Sequence, residues 1–390
     1  MIKSARLPAL LAAATGVLAV VWWVLDRPLG VDSGVYRAGA LALLRGQSLY
    51  APLTAIPDWS PALPFTYPPI AAVVFLPLAV LPVQLAWGVL AAGTVLALRT
   101  SVRLVGGAWW VLPLLLFLEP VWRTIGLGQV NALLMALVLV DVLALRGSRF
   151  AGVLVGVAAA VKLTPLVFVA HLFLTGRPRD AVRALAVFAG LGVTGFVLLP
   201  ADAVRYWTST MLGANKAGGN AWWGNQSVSG LVHRLGGSTA VLVLLVLVCL
   251  GVAAWLVRDL HQSGDPVGSV LVTAFAGVLV SPISWTHHWV WVAPLCAVLL
   301  ARRHFAFAGA LVVLSTGWVF ALVPRGEGEE RLWTPLESLA GNAYVLIGLA
   351  ALLLLGVRRA RTRWTVRWRS SPRSAPWSRG SWAARTRSWP

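Results

Sequence analysis

The sequence predicts an all-α fold, a polytopic bundle of transmembrane helices, and three observations predict it. Of 390 residues, 58% are hydrophobic and only 12% charged, with a mean hydropathy of +0.79, a balance outside that of soluble domains. Apolar runs recur between residues 7 and 357, separated by short stretches that hold nearly all the Arg, Lys, Asp and Glu. That is the pattern of helices that cross a bilayer and satisfy their backbone internally. Finally, the net charge of +19 is segregated: ten arginines lie from Arg358 onward, and others mark Arg99 and Arg103, Arg146 and Arg149, Arg177 to Arg183, Arg258, and Arg302 with Arg303. The positive-inside rule assigns these loops to the cytoplasm. Charge gathered in this way speaks for membrane lipids as partners and against nucleic acid.

The apolar runs are read as helices over residues 7–25, 84–104, 108–118, 130–145, 150–161, 164–174, 184–199, 240–257, 267–280, 290–300, 305–323 and 343–357. Counted between basic loops, they give about twelve crossings with both termini cytoplasmic. The first run follows Lys3 and Arg6 without a small-residue cleavage site after it, so it is kept as a membrane helix. The stretch 67–81, with prolines at Pro68, Pro69 and Pro77, would reverse every later basic loop if it crossed. It is therefore expected to be a short re-entrant or juxtamembrane helix on the extracytoplasmic side. Residues 150–174 form one apolar run with basic residues on both flanks, broken by Lys162 and Pro165. The run must turn back halfway, which puts Lys162 at its external turn. Residues 358–390 read as a basic, low-complexity cytoplasmic tail without fixed structure. Cys249 and Cys296 each fall inside an apolar run, where a thiol behaves as a small hydrophobe, so no disulfide or thiolate metal site is implied.

Three external segments remain, 26–66, 201–237 and 324–342, and they collect carboxylates, amides and indoles on one membrane face. Indoles paired with amide donors suit sugar rings, which present apolar faces and hydroxyl edges, although any single Trp also fits the interfacial belt. The first segment holds Asp26, Asp32 and Asp58. Lys162, at the external turn, suits an anionic phosphate; a lysine that merely snorkels is the blander reading. Ser284, Trp285, Thr286, His287 and His288 join two helices externally. Adjacent helical residues point about 100° apart, so the two histidines cannot readily chelate one metal, and one is expected to face the site and the other the bundle. Gln129 and Asn131 open a helix just after Glu119 and Arg123, where an amide is equally a cap or a ligand contact. The chain has no phosphate-binding glycine loop, no dinucleotide fingerprint, no zinc-protease motif and no nucleophile elbow. No cofactor is called for, and no ligand spacing demands a divalent ion.

The order of elements resembles the GT-C superfamily of polyprenol-phosphate-sugar-dependent glycosyltransferases. Within it the chain is similar to the actinobacterial α-mannosyltransferases of glycosyltransferase family 87, including those that extend phosphatidylinositol mannosides. The matching stretches are DSGVYRAGALALLRGQSLY from Asp32, FTYPPIAAVVFLPLAVLP from Phe65, GQVNALLMAL from Gly128, GVAAAVKLTPLVF from Gly156, WWGNQSVSGL from Trp222 and SPISWTHHWVW from Ser281. They span the chain in order as far as about Val357, which makes 1–357 the transferase domain.

The resemblance implies a catalytic carboxylate directly after the first helix, where Asp32 stands. Its chemistry needs a base for the acceptor hydroxyl and cations for the leaving phosphate. His287 and His288 join Asp32 as catalytic candidates. Lys162 and, less directly, Arg123 are the candidates for the donor phosphate, and Tyr36, Tyr67, Gln129, Asn131, Trp223, Asn225, Gln226 and Trp285 for substrate contacts. The partners implied are a polyprenyl-phosphate-mannose donor and a lipid-anchored glycan acceptor. The expected product is an α-mannoside, α-1,2 by family habit, made with inversion on the extracytoplasmic face. The rival class is a transporter or lipid flippase, whose ionisable groups sit nearer the midplane and often in paired repeats. Among enzymes, a related transferase using another lipid-linked sugar such as arabinose is the competing reading.

Overall fold

The structure, a computed structural model, describes residues 2–370 other than 212, 214–218 and 327. All the regular elements described are helical, and a single isolated antiparallel bridge joins Asn225 to Trp285. The chain starts with α1 (Ile2–Val24) and α2 (Val31–Leu44), followed by the short turns α3 (Pro69–Val74) and α4 (Leu76–Ala79) and the long α5 (Val83–Leu104). Next come α6 (Leu112–Leu115), α7 (Glu119–Leu127), α8 (Asn131–Leu139), α9 (Val153–Val161), α10 (Val167–Leu174) and α11 (Pro178–Leu198). A short α12 (Pro200–Arg205) and α13 (Val228–Arg234) precede α14 (Thr239–Gln262) and α15 (Pro266–Val280). The last are α16 (Val292–Ala301), α17 (Phe305–Leu314), α18 (Pro335–Gly341) and α19 (Ala343–Ser370).

Punctuation in the sequence explains many of these boundaries. Pro178 and Pro266 occupy first-turn positions where a missing N–H costs nothing. Ser227, Ser238, Asp265 and Thr334 cap α13, α14, α15 and α18 with side-chain oxygens. The stretch 67–81 is short helical turns, as its prolines require. The helix α2 was not foreseen: residues 31–44 were read as part of an external segment. It stands beside the bundle, packing against α3, α4 and α5. The last helix runs on to Ser370, twelve residues past the point where the expected tail begins, and residues 371–390 lie outside those described.

Five helices are long and apolar enough to cross a membrane, 6–24, 83–104, 178–198, 239–262 and 343–362, and six if the pair Trp109–Leu115 and Glu119–Leu127, bent by 78°, is one broken span. Among the described residues, length and apolarity thus qualify five or six helices as full crossings, where the sequence reading expects about twelve segments. The other apolar segments are shorter; α9, with nine residues, rises only about 14 Å against a hydrocarbon core about 30 Å thick.

The bundle has two chemically distinct ends. At one end Asp141 accepts from the backbone N–H groups of Gly152 (2.6 Å) and Val155 (2.9 Å), while Arg177 donates to the carbonyl of Val142 at 3.0 Å. Asp265 forms a two-pronged pair with Arg302 at 2.8 and 2.7 Å. The helix α8 arrives at this end, α9 leads away from it, and α10 returns to it. The break between α9 and α10 falls at Lys162, whose backbone is extended (φ −150°, ψ 130°). The expected half-way turn is therefore present. Close packing of α9 on α11 depends on Gly156, where a Cβ would lie 2.5 Å from the carbonyl oxygen of Ala184. Small residues at such contacts are what let apolar helices associate in lipid. Between α15, α16, α17 and α19 a cleft of about 340 Å³ stays open, walled by Phe275, Leu295, Leu311 and Leu352, with Arg302 and Arg359 at one mouth and Trp289 and Tyr344 toward the other.

Candidate active site

At the opposite end from these basic residues, the polar side chains from residues 32–67, the α7–α8 turn, the Lys162 break and the 281–291 segment come together. Asp32 lies in the first turn of α2, where the helix dipole favours a carboxylate. Tyr36 follows one turn later on the same face, fully buried. Its hydroxyl donates to Gln129 Oε1 at 2.7 Å and shares a 2.9 Å hydrogen bond with the hydroxyl of Tyr67. Gripped by its oxygen, Gln129 turns its amide nitrogen to Asp32 Oδ2 and donates at 2.7 Å. This contact depends on Gly128, which closes α7 in the left-handed region (φ +70°) and sits so near α2 that a Cβ would be 2.7 Å from that of Ser33. Tyr67 is fixed in turn by Tyr50, whose hydroxyl donates to its carbonyl at 2.7 Å.

Lys162 forms the second half. Its Nζ donates to Asn131 Oδ1 at 2.8 Å, contacts His288 Nε2 at 3.2 Å and lies 5.6 Å from the centre of the Tyr67 ring. Asn131 donates onward to the carbonyl of His287 at 3.3 Å, as does Thr124. The two histidine rings stand at 87° with centroids 4.8 Å apart. His288 meets the lysine, whereas the buried ring of His287 has no hydrogen-bond partner on either nitrogen. Asp32, Asn131, Lys162 and His288 all keep some exposed surface. A substrate can therefore reach them. A cavity of about 60 Å³ opens beside Asn131 and His288 with apolar walls that include Phe168 and Trp291.

Electrostatics follow from this crowding. Burial pushes the Asp32 carboxyl above its usual range, opposed by the Gln129 bond and by the positive charges of Lys162 and Arg123. Burial also lowers the Lys162 ammonium to about 8, with Asp32 pulling the other way. Each charge moderates the other's desolvation.

Around this cluster, further side chains tie the surrounding loops together. Arg123 pairs loosely with Glu119 (3.5 Å) and lies over the Trp223 ring at 5.3 Å, with Arg325 over the same ring at 4.6 Å. Asn225 and Gln226 are fully buried and bind loops together. Asn225 Oδ1 accepts from the Ser284 N–H at 2.9 Å, and Gln226 Nε2 donates to the carbonyls of Trp223 and Gly341 at 2.8 and 2.7 Å. Trp285 packs edge-on against Trp222 with ring centroids 5.1 Å apart. Asp32, Tyr36, Tyr67, Gln129, Asn131, Lys162 and His288 are thus brought into one chain of contacts, whereas Asn225, Gln226 and Trp285 sit in the loop framework behind it. Sequence reasoning gave Tyr50 and Glu119 no role; an acid inside an apolar run was the available signal for Glu119.

Chemically, the arrangement sets a carboxylate able to take a proton beside cations able to receive an anion. Among the described residues no three His, Cys, Asp or Glu side chains gather as a metal-ligating set.

The sequence profile of glycosyltransferase family 87 matches residues 65–282. A protein of Mycolicibacterium smegmatis named polyprenol-phosphate-mannose-dependent alpha-(1-2)-phosphatidylinositol mannoside mannosyltransferase is 34% identical over 89% of this chain and 88% of its own length. Its namesake in Mycobacterium tuberculosis is also 34% identical, over 85% of each chain. A second M. smegmatis protein, named for phosphatidylinositol pentamannoside, is 38% identical over 81% of each. No solved structure matches.

Proposed function

The chain belongs to glycosyltransferase family 87, and on that premise we propose that it is an inverting transferase that moves mannose from polyprenyl-phosphate-mannose to a phosphatidylinositol-mannoside-type acceptor, forming an α-1,2 bond. The observation that carries the proposal is the placing of Asp32 and Lys162 in one accessible cluster, with Gln129 fixing the carboxylate and Asn131 and His288 fixing the ammonium.

In the reaction, an acceptor hydroxyl attacks the anomeric carbon of the donor mannose. As the new C–O bond forms, the hydroxyl proton passes to Asp32. The bond from the anomeric carbon to the phosphate oxygen breaks, and its electron pair stays on the polyprenyl phosphate. Lys162 and Arg123 receive that growing charge in a partly desolvated site, where fixed cations act strongly, and His288 holds the ammonium in place. Single displacement on a β-linked donor gives the α-mannoside. His287, with both ring nitrogens free, is a further group available to the phosphate or the sugar, and Trp223 supports Arg123 from behind. The reaction face is extracytoplasmic and both termini are cytoplasmic: Arg146, Arg149, Arg177 and Arg302 belong at the opposite end of the bundle.

The test is incubation of purified protein with a panel of polyprenyl-phosphate sugars and a lipid-anchored mannoside, with mass analysis of the product. Mannose transfer is expected, and Asp32→Asn is expected to insert normally yet abolish it. Turnover retained in Asp32→Asn would sink the role of Asp32, and transfer from none of the donors would favour a transporter.

A further inference from the structure

We infer that Glu119 is a positioning residue for the transfer, a single carboxylate that sets both Arg123 and the segment carrying His287 and His288; the inference rests on the reading of the site given above. Glu119 is 2% exposed, at the 78° bend where the apolar stretch 109–127 is broken. A buried acid at such a place is retained when its oxygens are all engaged, and here they are. Oε1 accepts from the Thr286 hydroxyl at 2.6 Å and lies 3.5 Å from Arg123 Nη1, while Oε2 accepts from Tyr344 at 3.2 Å. Its own N–H donates to the carbonyl of Ser315 at 2.5 Å. Elements distant in the chain are thereby tied at one point.

The consequence runs through Thr286, which opens the tight helical segment Thr286–Trp291. One residue on, the carbonyl of His287 receives Asn131 and Thr124; two residues on, His288 meets Lys162. A shift of Thr286 therefore disturbs two of the groups that surround Lys162. On its other side the same oxygen restrains Arg123, which also lies over the Trp223 face. Glu119 touches neither Asp32 nor Lys162 in any hydrogen bond, so its action on the chemistry is indirect.

Glu119→Gln keeps the shape and one acceptor oxygen but loses the charge facing Arg123 and the second acceptor. It is expected to lower kcat/KM for the donor by about tenfold, the scale of a small misplacement of reacting groups, with a smaller change on the acceptor side. Thr286→Val should reproduce much of that loss, Thr286→Ser should restore activity, and the Glu119→Gln/Thr286→Val pair should be little worse than Glu119→Gln alone. A purely structural carboxylate would instead reduce the yield and thermal midpoint while leaving the folded fraction with unchanged kinetics, and that result overturns the inference. If Glu119→Gln fails to insert, the Thr286 pair decides: full activity in Thr286→Val overturns it. Wild-type protein inactive with every lipid-linked sugar would sink the transferase reading and this inference with it. Active wild-type with kinetically normal variants sinks this inference alone.

Discussion

Asp32 and Lys162 titrate toward each other, and the pH dependence of the reaction follows. A base must be ionised to accept a proton. With Asp32 raised above the ordinary carboxylate range by burial, kcat/KM should fall on the acid side at a pH above the usual value of about 4. Lys162 must be protonated to receive a phosphate. With its ammonium lowered to about 8, kcat/KM should fall again as pH rises through that value. The profile of the free enzyme is thus a bell, and Lys162→Arg should move the alkaline limb upward, since a guanidinium does not titrate there. An alkaline limb that does not move in Lys162→Arg assigns it to another group. At this scale the sequence was informative where a polar residue stood against its surroundings. Lys162 announced itself by interrupting an apolar run and the histidine pair by joining two such runs beside tryptophans, and Asp32 came from the resemblance. The work of Asn225 and Gln226 was not legible, because a buried amide that satisfies backbone and an exposed one that meets a sugar have the same letter. Only their full burial and backbone partners tell them apart.

Among the elements, the long helices are legible in the sequence and the short ones much less so. α5, α14 and α15 follow the predicted limits within a few residues, α5 by its apolar run and α14 and α15 by apolar runs that open on the caps Ser238 and Asp265. α2 is not legible because Asp32, Gly34, Arg37 and Gly39 interrupt its apolar pattern, and it packs against α3, α4 and α5. The loop pair 222–228 and 281–286 is likewise a tertiary construction. It is closed by the bridge between Asn225 and Trp285, the Gln226 N–H to Ser284 carbonyl bond at 2.7 Å and the Asn225 side chain. Replacing Asn225 by Ala strands the buried Ser284 N–H and the carbonyls it served. A loss of at least about 2 kcal/mol is expected, since each orphaned buried group costs about 1–3 kcal/mol. Thermal unfolding in lipid nanodiscs measures it; a midpoint equal to wild type would show the loops held by other means.

For the whole molecule, the all-helical membrane fold was written in composition, whereas the number of full crossings was not. Apolar runs count segments, and a segment such as α9 can be apolar without being long enough to span. Alternation of basic loops was informative locally, because it records which end of the bundle a loop occupies. It correctly required residues 150–174 to fold back at Lys162, and so brought that lysine to the end where Asn131 and His288 lie.

The cleft between α15, α16, α17 and α19 has a consequence for handling the protein. A seam of about 340 Å³ with apolar walls is expected to admit alkyl chains in the bilayer and to lose them during extraction. Apparent stability in detergent then becomes a function of lipid concentration, because whatever occupies the folded seam and not the unfolded chain stabilises by mass action. Returning phospholipid to solubilised protein should raise its unfolding temperature, and Ala351→Phe, which narrows the seam, should diminish that rise. An equal rise in both proteins would locate the lipid elsewhere on the surface.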